Sequence, residues 1–326
     1  MEKRIDINGL ERNAHVGLLL SALIIGFSFP AVGMISEGLP PLTLTAMRFA
    51  IAAVAIWPMV RRLTDLRPDP RGLAIYGLLG LCLAAFFGTM FWAAHHASAV
   101  SLATIYVSVP LIAYLLGRAL HVEQNSPRLV AILATGAIGA LALIWAQSSA
   151  EIGKFGIGEA GFLLACIGSA SYPVLSKLGL ERGWLSEHAE LRTFWSLVAG
   201  SVLIGLLALI IETPRDIMDM NIRDGALVIY LAVFSSAVTF WLSQRATAAL
   251  TPGTVTAYSY MTPFVAMLLL FFMEPQQIGW RWLPGSLLVI TTIALLLRGA
   301  SRSNTSGRAI DTRPHGNTAQ PCAQIT

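Results

Sequence analysis

The sequence predicts an all-α polytopic membrane protein with ten transmembrane helices in two inverted five-helix repeats. Three observations predict it. Apolar residues make up 55% of the 326-residue chain and charged residues only 12%, where a soluble domain carries about 25% charge. Apolar runs recur between short polar breaks, each near the ~20 residues that cross a ~30 Å hydrocarbon core at 1.5 Å per residue. Landmarks of the first half also return in order in the second: Phe29-Pro30 as Tyr172-Pro173, Arg48 as Arg192, Pro110 as Pro263 and Glu123 as Glu274.

The spans fall at 16–35, 41–60, 73–94, 100–118, 128–147, 157–178, 192–211, 225–243, 253–273 and 283–298. Helix is required, because unpaired backbone groups cannot face lipid. The first run follows Lys3, Arg4 and Arg12 and is as long as a full span, so it reads as a retained helix rather than a signal core. The organisation expected is an N-terminal segment at 1–15, repeats at 16–147 and 157–298, and a tail at 299–326. That tail is rich in Gly, Ser, Thr and Pro and is expected to be disordered.

Charge placement sets the topology. With the N-terminus inside, seventeen of the 22 Lys and Arg residues fall on the cytoplasmic side, four fall opposite, and Arg48 lies within a span. This positive-inside bias supports an even number of spans, with both termini expected in the cytoplasm. It also accounts for the net charge of +4 without a nucleic-acid partner; the expected partners are the bilayer and a small solute. Cys82, Cys166 and Cys322 form no CxxC pair, so neither a disulfide framework nor a metal site is predicted, and no cofactor is. HExxH, GxSxG and an intramembrane acidic pair are all absent, which argues against a membrane-embedded enzyme. A scaffold or receptor would want a sizeable soluble domain.

Five is odd, so the second repeat inserts upside down relative to the first, the arrangement that exposes one site alternately to either side. Gly80/Ala84/Gly88 and Gly161/Ala165/Ser169 put small residues at four-residue spacing, which lets helices approach closely.

The stretches GLPPLTLTAMRFAIAA, LATIYVSVPLIAYLLGRALHVEQ and TVTAYSYMTPFVAMLLLFFMEPQ resemble the EamA-like family of the drug/metabolite transporter superfamily. The resemblance covers residues 14–298. It implies ten helices in two inverted repeats, a central cavity, and export of amino acids or related metabolites. Val122 and Met273 stand where that family usually has Gly before the loop glutamate.

Candidate site residues follow from groups that lipid contact does not require. Pro110 and Pro263 lie near mid-span, where proline frees the carbonyls of Tyr106 and Ser259. Freed carbonyls at that depth need protein or water, so the pair either lines a cavity or shapes packing. Tyr106, Ser108, Tyr258, Ser259 and Tyr172 suit an amphiphilic solute, ring faces giving apolar contact and hydroxyls fixing orientation. Trp92 and Trp241, near span ends, are equally placed to be interfacial anchors. His96 is open to titration or to simple wetting at the interface. Arg48 lies roughly 10 Å into its span; it and Arg192 either brace the fold or, for Arg48, bind a carboxylate. Glu123 and Glu274 are expected to tie loops to helix ends. All 18 acidic residues fall in loops or at span ends, which predicts facilitated or exchange transport rather than a carboxylate proton relay.

Overall fold

The computed structural model describes residues 7–64, 66–94, 96–97, 99–147, 156–273 and 280–310. The described residues form helices joined by short turns. The first three crossings are unbroken: α1 Ile7–Gly33, α2 Pro41–Val60 and α3 Pro70–Ala94. The fourth is split into α4 Ala99–Tyr106 and α5 Val109–Ala119. Then come α6 Pro127–Gln147, α7 Ile157–Glu181 and α8 Ala189–Ile211. The eighth crossing joins α9 Ile222–Tyr230, a π-helical stretch Leu231–Val238 and α10 Thr239–Ala249. The ninth is split again, into α11 Pro252–Ala257, a 3₁₀ turn Tyr258–Tyr260 and α12 Met261–Met273. The tenth is α13 Leu283–Ile310.

Local chemistry sets the starts. Helices α2, α3, α6 and α11 open on Pro41, Pro70, Pro127 and Pro252, because the first helical N–H needs no intrahelical partner and proline's fixed φ already suits a helix. The remaining amides of two starts are capped from elsewhere in the chain. Glu212, past the end of α8, accepts from the Leu42 and Thr43 amides of α2 at 2.6 and 2.8 Å. Glu123 accepts from the Gly253 amide of α11 at 2.9 Å. A carboxylate at a helix N-terminus satisfies orphan donors and meets the positive end of the helix dipole.

Nine helices among the described residues are long and apolar enough to cross a membrane. The packing pairs come in sets related by exchanging the two halves. Helix α2 packs on α8, and α6 on α13, each against its own counterpart. The pairing of α1 with α10 matches that of α7 with α3, and α1 with α12 matches α7 with α5. Close approach is paid for in side-chain volume: a Cβ on Gly80 would lie 2.6 Å from the Ala199 Cβ, and one on Gly285 would lie 2.9 Å from the Gly139 carbonyl. Such distances exclude any larger residue where α3 meets α8 and α6 meets α13.

One expectation changes. The last helix does not stop at 298 but runs on to Ile310, through a stretch expected to be disordered; Ala300 and Arg302 favour the winding where Gly299 and the serines do not. Residues 311–326, with Cys322, and residues 1–6 lie outside those described.

Candidate functional site

Arg48 is the eighth residue of α2 and reaches across to the middle of the eighth crossing. Its Nε donates to the Ser236 Oγ at 2.6 Å, and its Nη2 approaches the Ser235 carbonyl at 3.4 Å and the Ser235 hydroxyl at 3.5 Å. Both serines belong to the π-helical stretch, a winding often found at functional positions because it breaks the regular hydrogen-bond ladder. The guanidinium also lies over two rings, 5.9 Å from the Phe49 centroid and 5.8 Å from that of Phe87, near the ~6 Å limit for cation–π attraction.

Those rings begin a continuous aromatic file. Phe49 meets Phe87 edge-on at 5.2 Å and Phe240 at 5.9 Å. Phe240 leads to Tyr172 at 5.6 Å, and Phe87 leads to Phe86 at 5.1 Å. Phe86 meets Tyr106 at 5.8 Å and Phe162 at 6.4 Å. The file draws on α2, α3, α4, α7 and α10, so both halves contribute to it. Phe86, Phe87, Tyr106 and Phe240 are half-buried, whereas Phe49 is sealed.

Arg192 is handled differently. It is fully buried, and each of its three nitrogens donates to protein oxygen: Nε to the Gln244 Oε1 at 3.1 Å, Nη1 to the Ser186 carbonyl at 2.6 Å, and Nη2 to the Gln244 carbonyl at 2.6 Å. The Gln244 amide in turn donates to the Tyr172 hydroxyl and to the Ser176 Oγ, both at 2.9 Å. The Tyr172 hydroxyl also pairs with the Ser196 Oγ at 2.9 Å. This network clamps α7, α8 and α10 together. It commits the Tyr172 hydroxyl internally and leaves its ring edge to the aromatic file.

The two proline helices break at matching places. Helix α4 ends at Tyr106 and α5 starts at Val109, with the Ser108 hydroxyl donating to the Ile105 carbonyl at 2.7 Å. Pro110 is buried in α5, and Tyr106 and Ser108 are half-buried. In the ninth crossing the break is the Tyr258–Tyr260 turn, three residues before Pro263. Ser259 and Pro263 are half-buried there, while Tyr258 is buried and its hydroxyl meets His15 Nδ1 of α1 at 2.7 Å.

Trp92 and His96 sit beside one another at the end of α3, their rings stacked at 4.4 Å, with Trp92 packed on Gly161. They lie more than a helical turn beyond Phe87 and outside the ring file. Trp241 donates from Nε1 to Glu190 at 3.1 Å, and the Arg245 guanidinium covers its ring at 5.6 Å; it belongs to the α8–α10 seam. Glu123 caps α11, and burial pushes its carboxyl above the usual carboxylate range while the Gly253 amide pulls the other way. Glu274 lies outside the described residues. Among the described residues no group of His, Cys, Asp and Glu could hold a metal ion.

Sequence reasoning missed Gln244, Phe49, Phe86, Phe87, Phe240 and the Ser235-Ser236 pair. The serine pair had a signal, two hydroxyls in the middle of an apolar run; the phenylalanines had none that separates them from lipid-facing neighbours.

Known proteins share this design. The model of the EamA-like transporter family matches twice, at residues 12–145 and 156–298. The uncharacterized inner membrane transporter YedA of Escherichia coli (strain K12) is 27% identical, over 78% of this chain and 80% of that one. The protein PecM of Dickeya dadantii (strain 3937) is 23% identical over 68% of this chain and 72% of its own length. The uncharacterized transporter YcxC of Bacillus subtilis (strain 168) is 22% identical over 85% and 90%. A solved crystal structure with 18% identity matches 90% of this chain and 98% of its own with a TM-score of 0.72, a likeness of fold. With ten helical stretches among the described residues, broken or unbroken, a doubled packing pattern and a family match to each half, this chain belongs to the EamA-like transporter family.

Proposed function

We propose that the chain exports a small amphiphilic metabolite, foremost an amino acid with an aromatic side chain, by alternating access across the bacterial inner membrane. Five crossings per half turn the second repeat upside down, with both termini in the cytoplasm, as the basic residues favour. The single observation that carries the reading is the aromatic file, drawn from both halves and ending on Tyr106 at one of the two broken helices. Ring faces accept an apolar body, and half-buried hydroxyls at the breaks, Ser108 and Ser259, orient polar ends. Relatives named as transporters in two bacteria favour the same class. No acidic side chain lies at mid-span, which favours facilitated or exchange flux over a carboxylate relay.

A drug, purine or nucleotide-sugar carrier is the second reading. One arginine in the aromatic file disfavours the nucleotide sugars, whose phosphates call for several cations. A membrane-embedded enzyme or scaffold would leave the doubled, broken helices without a purpose.

Counterflow in proteoliposomes tests the proposal. Labelled aromatic amino acids should show saturable uptake that is lost at least tenfold in Tyr106→Ala and Ser259→Ala and kept after deletion of residues 311–326. An imposed pH gradient should not drive it. Folded protein that carries no amino acid moves the substrate to the drug and purine classes.

A further inference from the structure

We infer that Arg48 is an anion subsite: it takes the carboxylate of the solute while the phenylalanine file takes the solute's apolar body. The inference rests on the transport reading above and narrows it to organic monoanions and zwitterions.

The donor inventory points there. A guanidinium carries five N–H groups on three nitrogens and no acceptor. In Arg48 only Nε makes a short bond, 2.6 Å to the Ser236 Oγ. Nη2 stands 3.4 and 3.5 Å from the Ser235 oxygens, beyond the usual 2.7–3.2 Å. Nη1 donates to nothing among the described residues, and no carboxylate there forms an ion pair with Arg48.

The unpaired Nη1 is not sealed in the core. The sealed polar side-chain atoms without a partner, among the described residues, are the hydroxyls of Tyr76 and Tyr260, so Nη1 keeps accessible surface. Phe49, Phe87 and the π-helical serines flank the group from α2, α3 and the eighth crossing. An unpaired cation at this depth is costly, and the cost is recovered when an anion arrives. A carboxylate suits it, since its two oxygens match two parallel N–H groups of one guanidinium. One cation matches one negative charge, which disfavours phosphate dianions. Of the two rings under the guanidinium, half-buried Phe87 then stands beside whatever the carboxylate is attached to, with sealed Phe49 behind it.

The test uses two probes with the same skeleton and opposite charge, 3-phenylpropionate and 3-phenylpropylamine, titrated calorimetrically into the purified full-length protein. Wild type should bind the carboxylate at least tenfold tighter. Arg48→Gln should reduce that preference to threefold or less, and Arg48→Lys should fall between. The wild-type preference is read without any variant, so misfolding of Arg48→Gln does not blunt the test. Equal affinities in wild type, or a preference that survives in folded Arg48→Gln, overturns the subsite. Binding of neither probe overturns it as well. In each of these cases aromatic counterflow reports independently whether the transport reading stands.

Discussion

Arg48 and Arg192 lie on α2 and α8, helices that pack on each other, the one eighth and the other fourth in its helix, yet their donors are used very differently. Arg192 is fully buried, with three nitrogens bound to oxygens at 2.6–3.1 Å, all supplied by its own half. Arg48 reaches into the opposite half for its one short bond. Its remaining support comes from two long contacts of Nη2 to Ser235 and from ring faces that hold the charge without using its hydrogens. The difference teaches that two arginines on neighbouring helices of the two halves need not share a job. A guanidinium saturated by carbonyls is a brace, whereas one flanked by rings and hydroxyls has donors to offer. Gln244 makes the distinction: with side-chain and backbone oxygens both on Arg192, it removes that arginine from solute chemistry.

The comparison breaks first at Arg192→Ala. Loss of three charge-assisted bonds strands the Gln244 and Ser186 oxygens and should destabilise the protein by about 3 kcal/mol or more, read as a large fall in Tm; Arg48→Gln should cost less than a third of that. Similar thermal losses in the two variants would mean that Arg48 is also a brace. Next, Gly80→Leu should cost about 1–3 kcal/mol through overpacking where α3 meets α8, without changing which solute is carried. Tyr172→Phe keeps the ring edge but forfeits the bonds to Ser196 and Gln244. It should lower stability by about 1 kcal/mol and leave counterflow within twofold, which would set the Arg192 network apart from the aromatic file. The smallest effect belongs to Glu123→Gln, which weakens the cap on Gly253 by about 0.3–1 kcal/mol. Urea-free thermal melts at two ionic strengths should show little salt dependence of that loss, because the carboxyl is buried and screened poorly by ions.

Most of the fold was legible because the bilayer imposes length and polarity on every span. The second span, 41–60, has the bounds of the helix itself. Errors gathered where helices outrun their apolar stretch: α1 starts at Ile7 and includes Glu11, Arg12 and His15, and α10 continues through Gln244 and Arg245 to Ala249. A hydropathy reading ends at such residues, while backbone hydrogen bonding does not. The site was half legible. Pro110 and Pro263 marked the interrupted crossings because proline lacks an N–H, and Tyr106 stood out as a hydroxyl at depth. The phenylalanine file was hidden, since a ring facing the interior and a ring facing lipid are the same letter. The π winding at Leu231–Val238 contains neither proline nor glycine, and its register depends on partners from α2 that local sequence does not name.

That winding has a mechanical consequence. A π turn stores one residue more than an α turn, so the eighth crossing carries slack at its centre. Rewinding Leu231–Val238 as regular α-helix would pass the extra residue along, rotating α10 by ~100° against α9 and lengthening the rod by ~1.5 Å. Since the π stretch holds the serines that face Arg48, and α10 bears Gln244, one local change of pitch would reset the grip on both arginines at once. The crossing thus has the makings of a crank whose pin is Ser236.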